Sequence, residues 1–232
     1  MSAQGAARSR VLAVDTTGEF GSLALVEDER EGEQVIEEVA LHSPEGFAHI
    51  VFGEIERLLA RHNLGLDQLD AFASASGPGS FTGVRVGLTV VKGLAEATGR
   101  KVVAVSNLQA LAWFGTRALR ATVLDARRGE VYGAVYDAAL RPVCAEVVMK
   151  FEAWLGTLGP LPKGRDIELI TAGYPFAEAL AAGVPVTEAP RALAGAIGRI
   201  AMRRLTEGLA QDPAAIDANY VRRSDAELLW KD

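Results

Sequence analysis

A short apolar strand that ends in aspartate and then turns back through glycine occurs twice in the sequence. The two copies are residues 14–19 and 124–130, about 110 residues apart. Each is followed by a second apolar run, so both are predicted to be β-hairpins. Helical patterns follow each hairpin, which favours an α/β fold with two related lobes of mixed sheet and flanking helices. The two lobes are expected to comprise residues 1–108 and 109–232. Two unrelated hairpins are the alternative.

The spacing of apolar residues predicts further elements along the chain. A first helix is expected to begin with Ser43 as N-cap and to end near His62. A second should end at Gly99, and Ser106 or Asn107 should cap a third. The other predicted elements are strands at 35–41, 70–76, 102–105 and 167–172, a loop at 156–165, and helices at 175–182 and 191–208. The helix at 191–208 can pack back on the first lobe.

Composition and charge exclude several classes of protein. The single cysteine, Cys144, allows neither an intrachain disulfide nor a multi-cysteine zinc site, and His42, His49 and His62 lack metal-binding spacing, so we expect no metal site. The net charge of −6 disfavours binding of nucleic acid by this chain alone, so an RNA role would need a basic partner. Neither a signal-peptide pattern nor a run of 18 apolar residues occurs, which predicts a cytoplasmic protein without a membrane contact.

Glycines cluster between the predicted strand at 70–76 and the next helix, in the sequence GPGSFTG at 77–83. Backbone amides and the helix dipole could hold an anion in such a turn. The segment is not a phosphate-binding Walker A loop, which needs Lys and then Ser or Thr after its last glycine, because Val84 and Arg85 follow Gly83. Either an anion site or a tight turn with close helix packing would explain the glycines.

The helix that follows this turn is apolar around roughly 220° of its circumference, which is more than one sheet can cover. Gly83 and Gly87 form a smooth row on it. We therefore predict a helical interface with another protein chain; the alternative is that the first helix of the same chain covers this face. The candidate partner-binding residues are Phe47, Ile50, Val51 and Ile55 on the first helix and Gly83, Gly87, Val90 and Leu94 on the second.

Asp15, Thr16 and Thr17 end the first strand in the arrangement by which sugar kinases, actin and chaperone-type ATPases approach nucleotide phosphates. With Gly79 and Ser80 they form a candidate nucleotide site, although a strand-end hydrogen-bonding turn is an equally natural interpretation. The equivalent turn of the second hairpin carries the bulky side chains of Arg127 and Arg128, and Tyr174 follows Gly173 where a nucleoside cradle needs small residues. We expect this chain to bind no nucleotide tightly.

Several segments together resemble one family. They are residues 11–26 (VLAVDTTGEFGSLALV), 42–43, 76–87 (SGPGSFTGVRVG), 92–95, 105–112 (VSNLQALA), 125–132 (DARRGEVY) and 220–227 (YVRRSDAE). In order and over almost the whole chain, they are similar to the bacterial tRNA threonylcarbamoyladenosine biosynthesis family TsaB, also called YeaZ.

The resemblance implies an actin-like (ASKHA, RNase H-like) fold and a non-catalytic scaffold. Its N-terminal lobe would pair with the related transferase TsaD, which modifies the adenosine beside the anticodon of tRNAs that read ANN codons. The ATPase TsaE would join the complex; ATP and a metal ion would be used by these partners, and the chain alone would form a homodimer. Arg127 and Arg128 are candidates for contact with RNA or phosphate brought by the complex.

Two other functions are kept as hypotheses. An autonomous actin-like ATPase or small-molecule kinase would use Asp15, Thr16 and Gly79. A peptidase would need a metal or a nucleophile, and no such motif is present in the sequence.

Overall fold

The computed structural model describes residues 8–29, 32–158, 166–173 and 183–222. The chain divides into two compact units. The first comprises Met1–Ser76, Ser80–Val105 and Ala192–Ala218, and the second comprises Gly77–Gly79, Ser106–Arg191 and Asn219–Asp232. The helix predicted at 175–182 and residues Tyr174 and Arg223 lie outside the described residues.

Each unit contains a five-stranded mixed sheet. The strands are β1 Arg10–Asp15, β2 Phe20–Glu29, β3 Gly32–His42, β4 Ala71–Ala75, β5 Lys101–Val105, β6 Leu119–Arg127, β7 Glu130–Asp137, β8 Pro142–Lys150, β9 Ile167–Thr171 and β10 Val186–Glu188. The helices are α1 Val51–Arg61, α2 Phe81–Thr98, α3 Asn107–Ala112, α4 Phe151–Thr157 and α5 Ala194–Thr206, with short 3-10 turns at Leu66–Gln68 and Pro213–Ala215.

The two sheets have the same topology. Their strand orders are β3-β2-β1-β4-β5 and β10-β9-β6-β7-β8, which match strand for strand when one is reversed. In both, the first three strands form antiparallel pairs and the last two join in parallel. The internal duplication and the α/β fold with two related lobes are therefore confirmed.

Both faces of the first sheet are covered by helices. Leu12 and Val14 belong to the core cluster that includes residues of α1 and α2. On the opposite face, a Cβ at Gly198 of α5 would lie 2.5 Å from Val26 Cγ2 and 3.3 Å from Ala13 Cβ, so this glycine allows close helix–sheet packing. The late helix α5 thus completes the first unit.

Helix ends agree with the sequence where local capping determines them. As predicted, α2 ends at Gly99, which has φ of +66°. The start of α2 is capped by Ser80, whose hydroxyl accepts a hydrogen bond from the Gly83 amide at 3.2 Å. Ser106 caps α3. The prediction that Ser43 caps α1 is wrong, because Gly46 has φ of +89°, which a right-handed helix cannot include, and α1 begins only at Val51.

The middle of the second unit differs from the sequence-based assignment. Residues predicted as the start of a loop belong to α4, and β8 has no counterpart among the predicted strands. Trp154 on α4 is 2% exposed and anchors the core of this unit with Leu169 of β9. Within the described residues, no helix is both long and apolar enough to cross a membrane.

Candidate functional site

The Asp15-Thr16-Thr17 turn ends β1 and is buried, with exposed fractions of 2%, 1% and 6%. The Asp15 carboxylate accepts hydrogen bonds from the amide and the hydroxyl of Thr17, at 2.9 and 2.6 Å. The Thr16 hydroxyl donates to the Gly83 carbonyl at 2.7 Å, and the Ser80 amide donates to the Thr17 carbonyl at 2.7 Å. The turn therefore uses its polar groups to hold the start of α2.

Gly83 and Gly87 are the points at which α2 touches this turn. A Cβ at Gly83 would lie 2.0 Å from the Thr16 carbonyl oxygen, and a Cβ at Gly87 would lie 2.8 Å from the hydroxyls of Thr16 and Ser74. Both glycines face their own chain. Close packing within the chain is therefore the reason for these glycines.

Gly79 belongs to the second unit. The Gly77–Gly79 segment joins that unit through Asn107, whose side-chain oxygen accepts from the Gly77 amide at 3.1 Å and whose own amide donates to the Gly77 carbonyl at 2.9 Å. Of the candidate nucleotide residues, Asp15, Thr16, Thr17 and Ser80 thus come together in the first unit. Among the described residues, no group of His, Cys, Asp or Glu is arranged to hold a metal ion.

A second carboxylate, that of Glu38 on β3, lies at the start of α5. It accepts a hydrogen bond from the Gly195 amide at 2.7 Å, while the Ser22 hydroxyl accepts from the amides of Leu193 and Ala194 at 3.2 and 3.0 Å. Partial desolvation raises the pKa of Glu38 above its ordinary 4.5, the Gly195 hydrogen bond acts in the opposite direction, and the negative charge of Asp15 adds to the rise.

Glu38→Gln should stabilise the protein at neutral pH. Since the pKa of Glu38 is higher in the folded state, its contribution to stability is full below pH 4.5 and is lost as the pH rises through the folded-state pKa. Glutamine keeps an oxygen for the Gly195 amide but carries no charge. We expect Glu38→Gln to raise the melting temperature at pH 7 and to leave it unchanged at pH 4, with exposed Glu96→Gln as control. An equal shift at both pH values would contradict a charge-based cause.

Six of the eight predicted partner-binding residues face the core of the first unit. Phe47, Val51, Ile55, Gly83, Gly87 and Val90 are buried, and only Ile50 and Leu94 are partly exposed. A partner-binding role for these residues stays a prediction; of the six, Val90 also lines the groove described next. The apolar periodicity of α1 and α2 reports mainly their packing against their own sheet and each other.

An apolar groove between α1 and α2 is nevertheless open to solvent. Its volume is about 390 Å³, and its walls include Ala48, Phe52, Phe81, Arg85 and Val86. Phe52 is 56% exposed and Phe81 is 44% exposed. The Arg85 guanidinium lies 3.8 Å from the centre of the Phe81 ring, in cation–π geometry.

The sequence pattern places Arg85 and Thr89 on a narrow polar stripe of α2, but it counts Phe81 in the apolar arc and does not single out Phe52 as exposed. All four line the groove, and none of them is among the buried residues of its helix. For Phe52, an aromatic side chain outside the apolar stripe of an amphipathic helix was the available clue.

In the second unit, Arg127 at the end of β6 and Arg128 in the turn to β7 are exposed. Their φ values are +64° and +57°. The Arg127 amide donates to the Asp125 carboxylate at 2.8 Å, as the Thr17 amide does to Asp15 in the first unit. The two hairpins therefore share this turn hydrogen bond.

Comparison with known proteins gives the family. The model of the TsaD family, tRNA N6-adenosine threonylcarbamoyltransferase, matches residues 43–226. The tRNA threonylcarbamoyladenosine biosynthesis protein TsaB of Bacillus subtilis is 30% identical over 169 residues, which cover 71% of this chain and 70% of that protein. The chain belongs to the TsaB family. The match to the TsaD model is consistent with a common superfamily.

Other TsaB proteins match over shorter regions. Those of Haemophilus influenzae and Escherichia coli are 39% and 34% identical over 127 and 135 residues. These matches cover 53% and 55% of this chain, and 51% and 55% of the two relatives, so the chain matches about half of their length.

Solved structures extend the TsaB likeness to almost the whole chain. YeaZ from Pseudomonas aeruginosa is 27% identical with a TM-score of 0.70, and covers 91% of this chain and 99% of its own. A second structure, of a protein from the same organism described as similar to peptidase YeaZ, is 26% identical with a TM-score of 0.73, and covers 92% and 100%.

Proposed function

We propose that this TsaB-family chain is a non-catalytic subunit in the formation of threonylcarbamoyladenosine in tRNA. It would act by binding a TsaD-type transferase through the groove between α1 and α2. The observation that carries this proposal is that groove, where Phe52 and Phe81 expose 56% and 44% of their surface beside Val86. The names of the TsaB relatives support the pathway.

The chemistry of the groove indicates what a partner should present. Two exposed aromatic rings favour a partner that presents an apolar helix face, since aromatic residues contribute strongly to interface energies. Arg85, stacked on Phe81, adds a positive charge within this apolar surface. An oxygen acceptor on the partner opposite Arg85 would satisfy the guanidinium once water is excluded.

A non-catalytic role is supported by the Asp15-Thr16-Thr17 turn. The hydroxyls of Thr16 and Thr17 already donate to the Gly83 carbonyl and to Asp15. Groups engaged in this way stabilise the fold and are poor candidates for positioning a phosphate or its metal-bound water. We propose that TsaD-type and TsaE-type partners use the ATP and the metal ion. In this proposal the complex binds tRNA in the cytoplasm, and the chain alone forms a homodimer.

Phe52→Glu tests the docking surface. The residue lies in the first turn of α1, where an acidic side chain is compatible with the helix dipole, so the variant should fold. Removal of an aromatic anchor and burial of a charge should cost about 2 to 4 kcal/mol, or roughly 30- to 1000-fold in affinity for the transferase. The affinity can be measured by titration calorimetry, and complex mass by light scattering.

Leu209→Glu is the matched control for this experiment. Leu209 is also a large apolar residue of the first unit, 58% exposed, and it lies outside the groove. We expect this variant to bind the transferase as the unaltered chain does and to support the same level of tRNA modification. Equal affinity of both variants would show that the transferase docks elsewhere. If the unaltered chain dimerises but does not bind the transferase, the groove is a homodimer surface only.

A further inference from the structure

We propose that Glu146 of β8 is a clamp that restricts the movement of one unit against the other. Its carboxylate holds two of the points at which the chain passes between the units. These points are the step from Val105 to Ser106, which we call the first crossing, and the step from Ala218 to Asn219, the second crossing. The role is independent of the proposed function, because such a clamp acts whatever partner the chain binds.

Glu146 lies in a β-bulge. Strands β7 and β8 pair at Gly133 with Val147 and at Val135 with Cys144, so one residue of β7 faces two residues of β8, and one of these two is Glu146. A bulge bends its strand and redirects a side chain, and β8 is an edge strand of its sheet. Regular pairing is thus interrupted at the residue that carries the carboxylate.

Three donors from separate parts of the second unit meet at this carboxylate. The Ser106 hydroxyl, at the first crossing, donates a hydrogen bond to Oε1, and the Tyr136 hydroxyl donates to the same oxygen at 2.7 Å. The side-chain amide of Asn219, at the second crossing, donates to Oε2 at 2.6 Å. Ser106 and Asn219 lie 40 and 73 residues from Glu146 in the sequence. One side chain therefore joins two distant segments of the chain.

Tyr136 gives the clamp a fixed base. This tyrosine belongs to β7 and is 3% exposed, so its hydroxyl orients the Glu146 carboxylate from within the sheet. Hydrogen bonds to a carboxylate are roughly twice as strong as those between neutral groups. For either crossing to move, a bond of this stronger kind must break.

The first crossing is also tied to a third passage of the chain. Ser106 caps α3 by accepting a hydrogen bond from the Leu108 amide at 3.2 Å. The next residue, Asn107, holds Gly77 through two hydrogen bonds, and Gly77–Gly79 is a short excursion of the chain into the second unit. This excursion leads directly into α2, so a displacement at Ser106 would be transmitted to the start of that helix.

Glu146→Ala tests the clamp, with Tyr136→Phe as the matched control. The alanine removes the acceptor shared by both crossings, so amide exchange should become about ten- to hundredfold faster at residues 106–112 and at residues 219–222 together. The phenylalanine removes a hydrogen bond to the same carboxylate but leaves both crossings held. In that variant the two segments should exchange as they do in the unaltered chain. Hydrogen–deuterium exchange followed by mass spectrometry measures both segments.

Spin labels measure the movement between the units directly. Glu96 on α2 and Glu152 on α4 are exposed and lie in different units, and Cys144 is exposed. Labels can therefore be attached after Glu96→Cys and Glu152→Cys substitution in a Cys144→Ser background. The distribution of distances between the labels, measured by pulsed electron spin resonance, should become broader when Glu146→Ala is added and should keep its width when Tyr136→Phe is added.

Three outcomes would overturn the clamp. They are faster exchange at only one of the two segments in Glu146→Ala, an unchanged distance distribution in that variant, and equal effects of Glu146→Ala and Tyr136→Phe. If Glu146→Ala does not fold, Asn219→Ala provides the test, because it releases the second crossing alone. Asn219→Ala should speed exchange at residues 219–222 and broaden the distance distribution, and the absence of either change would also overturn the clamp.

Discussion

Replacing Gly83 with alanine is expected to lower the free energy of unfolding by about 3 to 5 kcal/mol, a very large effect for one methyl group. The added Cβ would lie 2.0 Å from the Thr16 carbonyl oxygen, 3.0 Å from its carbon and 3.2 Å from Thr17 Cα. All three are main-chain atoms, so no side-chain rotation can make room. To separate α2 from the turn would also break the hydrogen bond from the Thr16 hydroxyl to the Gly83 carbonyl.

Gly93 provides a control on the same helix. A Cβ there would meet nothing within 4 Å, and alanine favours a helix over glycine by about 1 kcal/mol. Gly93→Ala should therefore raise the free energy of unfolding by about 0.5 to 1 kcal/mol, while Gly83→Ala lowers it. Urea denaturation followed by circular dichroism measures both. If Gly83→Ala proved as harmless as Gly93→Ala, the close contact between α2 and the Asp15-Thr16-Thr17 turn would be wrong.

The second large effect is expected in the core of the second unit, at Gly133 of β7. A Cβ on this residue would lie 2.2, 2.5 and 2.6 Å from the Nε1, Cε2 and Cδ1 atoms of Trp154, which is 2% exposed. Because the indole is enclosed, it cannot move aside without opening the core. Gly133→Ala should lower the free energy of unfolding by about 2 to 3 kcal/mol.

A double-mutant cycle identifies the cause of this loss. Trp154→Leu alone should cost about 3 kcal/mol through the cavity that it leaves. In the double variant, the Gly133 methyl group can occupy part of that space, so the combined loss should be about 1 to 3 kcal/mol smaller than the sum of the two. Strictly additive losses, measured by chemical denaturation, would rule out a direct clash with the indole.

Features with a local physical cause could be predicted from the sequence. Strand pairing in both hairpins follows from apolar runs separated by turn residues. The limits of α2 follow from Ser80 at its start and from Gly99 at its end, where a left-handed residue is needed. The start of α1 could not be found in this way. Ser43 has the right chemistry for a cap, but Gly46 at φ of +89° extends the turn by several residues.

The docking surface shows the limit of periodicity more clearly. An apolar arc too wide for one sheet correctly indicated that α2 has more than one neighbour, and part of the groove is indeed exposed. Periodicity alone could not divide the arc between the chain's own core and its surface. Gly87 is a case in point: a bulky replacement there would collide with Thr16 and Ser74 and damage the unit itself, so it is unsuitable as a selective test of complex formation.

The return of α5 to the first unit has a consequence for synthesis on the ribosome. Gly198 packs on Ala13 and Val26, and the Ser22 hydroxyl accepts from the amides of Leu193 and Ala194. One face of the first sheet therefore stays bare until the polypeptide has been translated past Thr206. Strands β1 to β5 leave the exit tunnel before the helix that covers this face, so the nascent chain must keep an uncovered apolar surface from aggregating in the meantime.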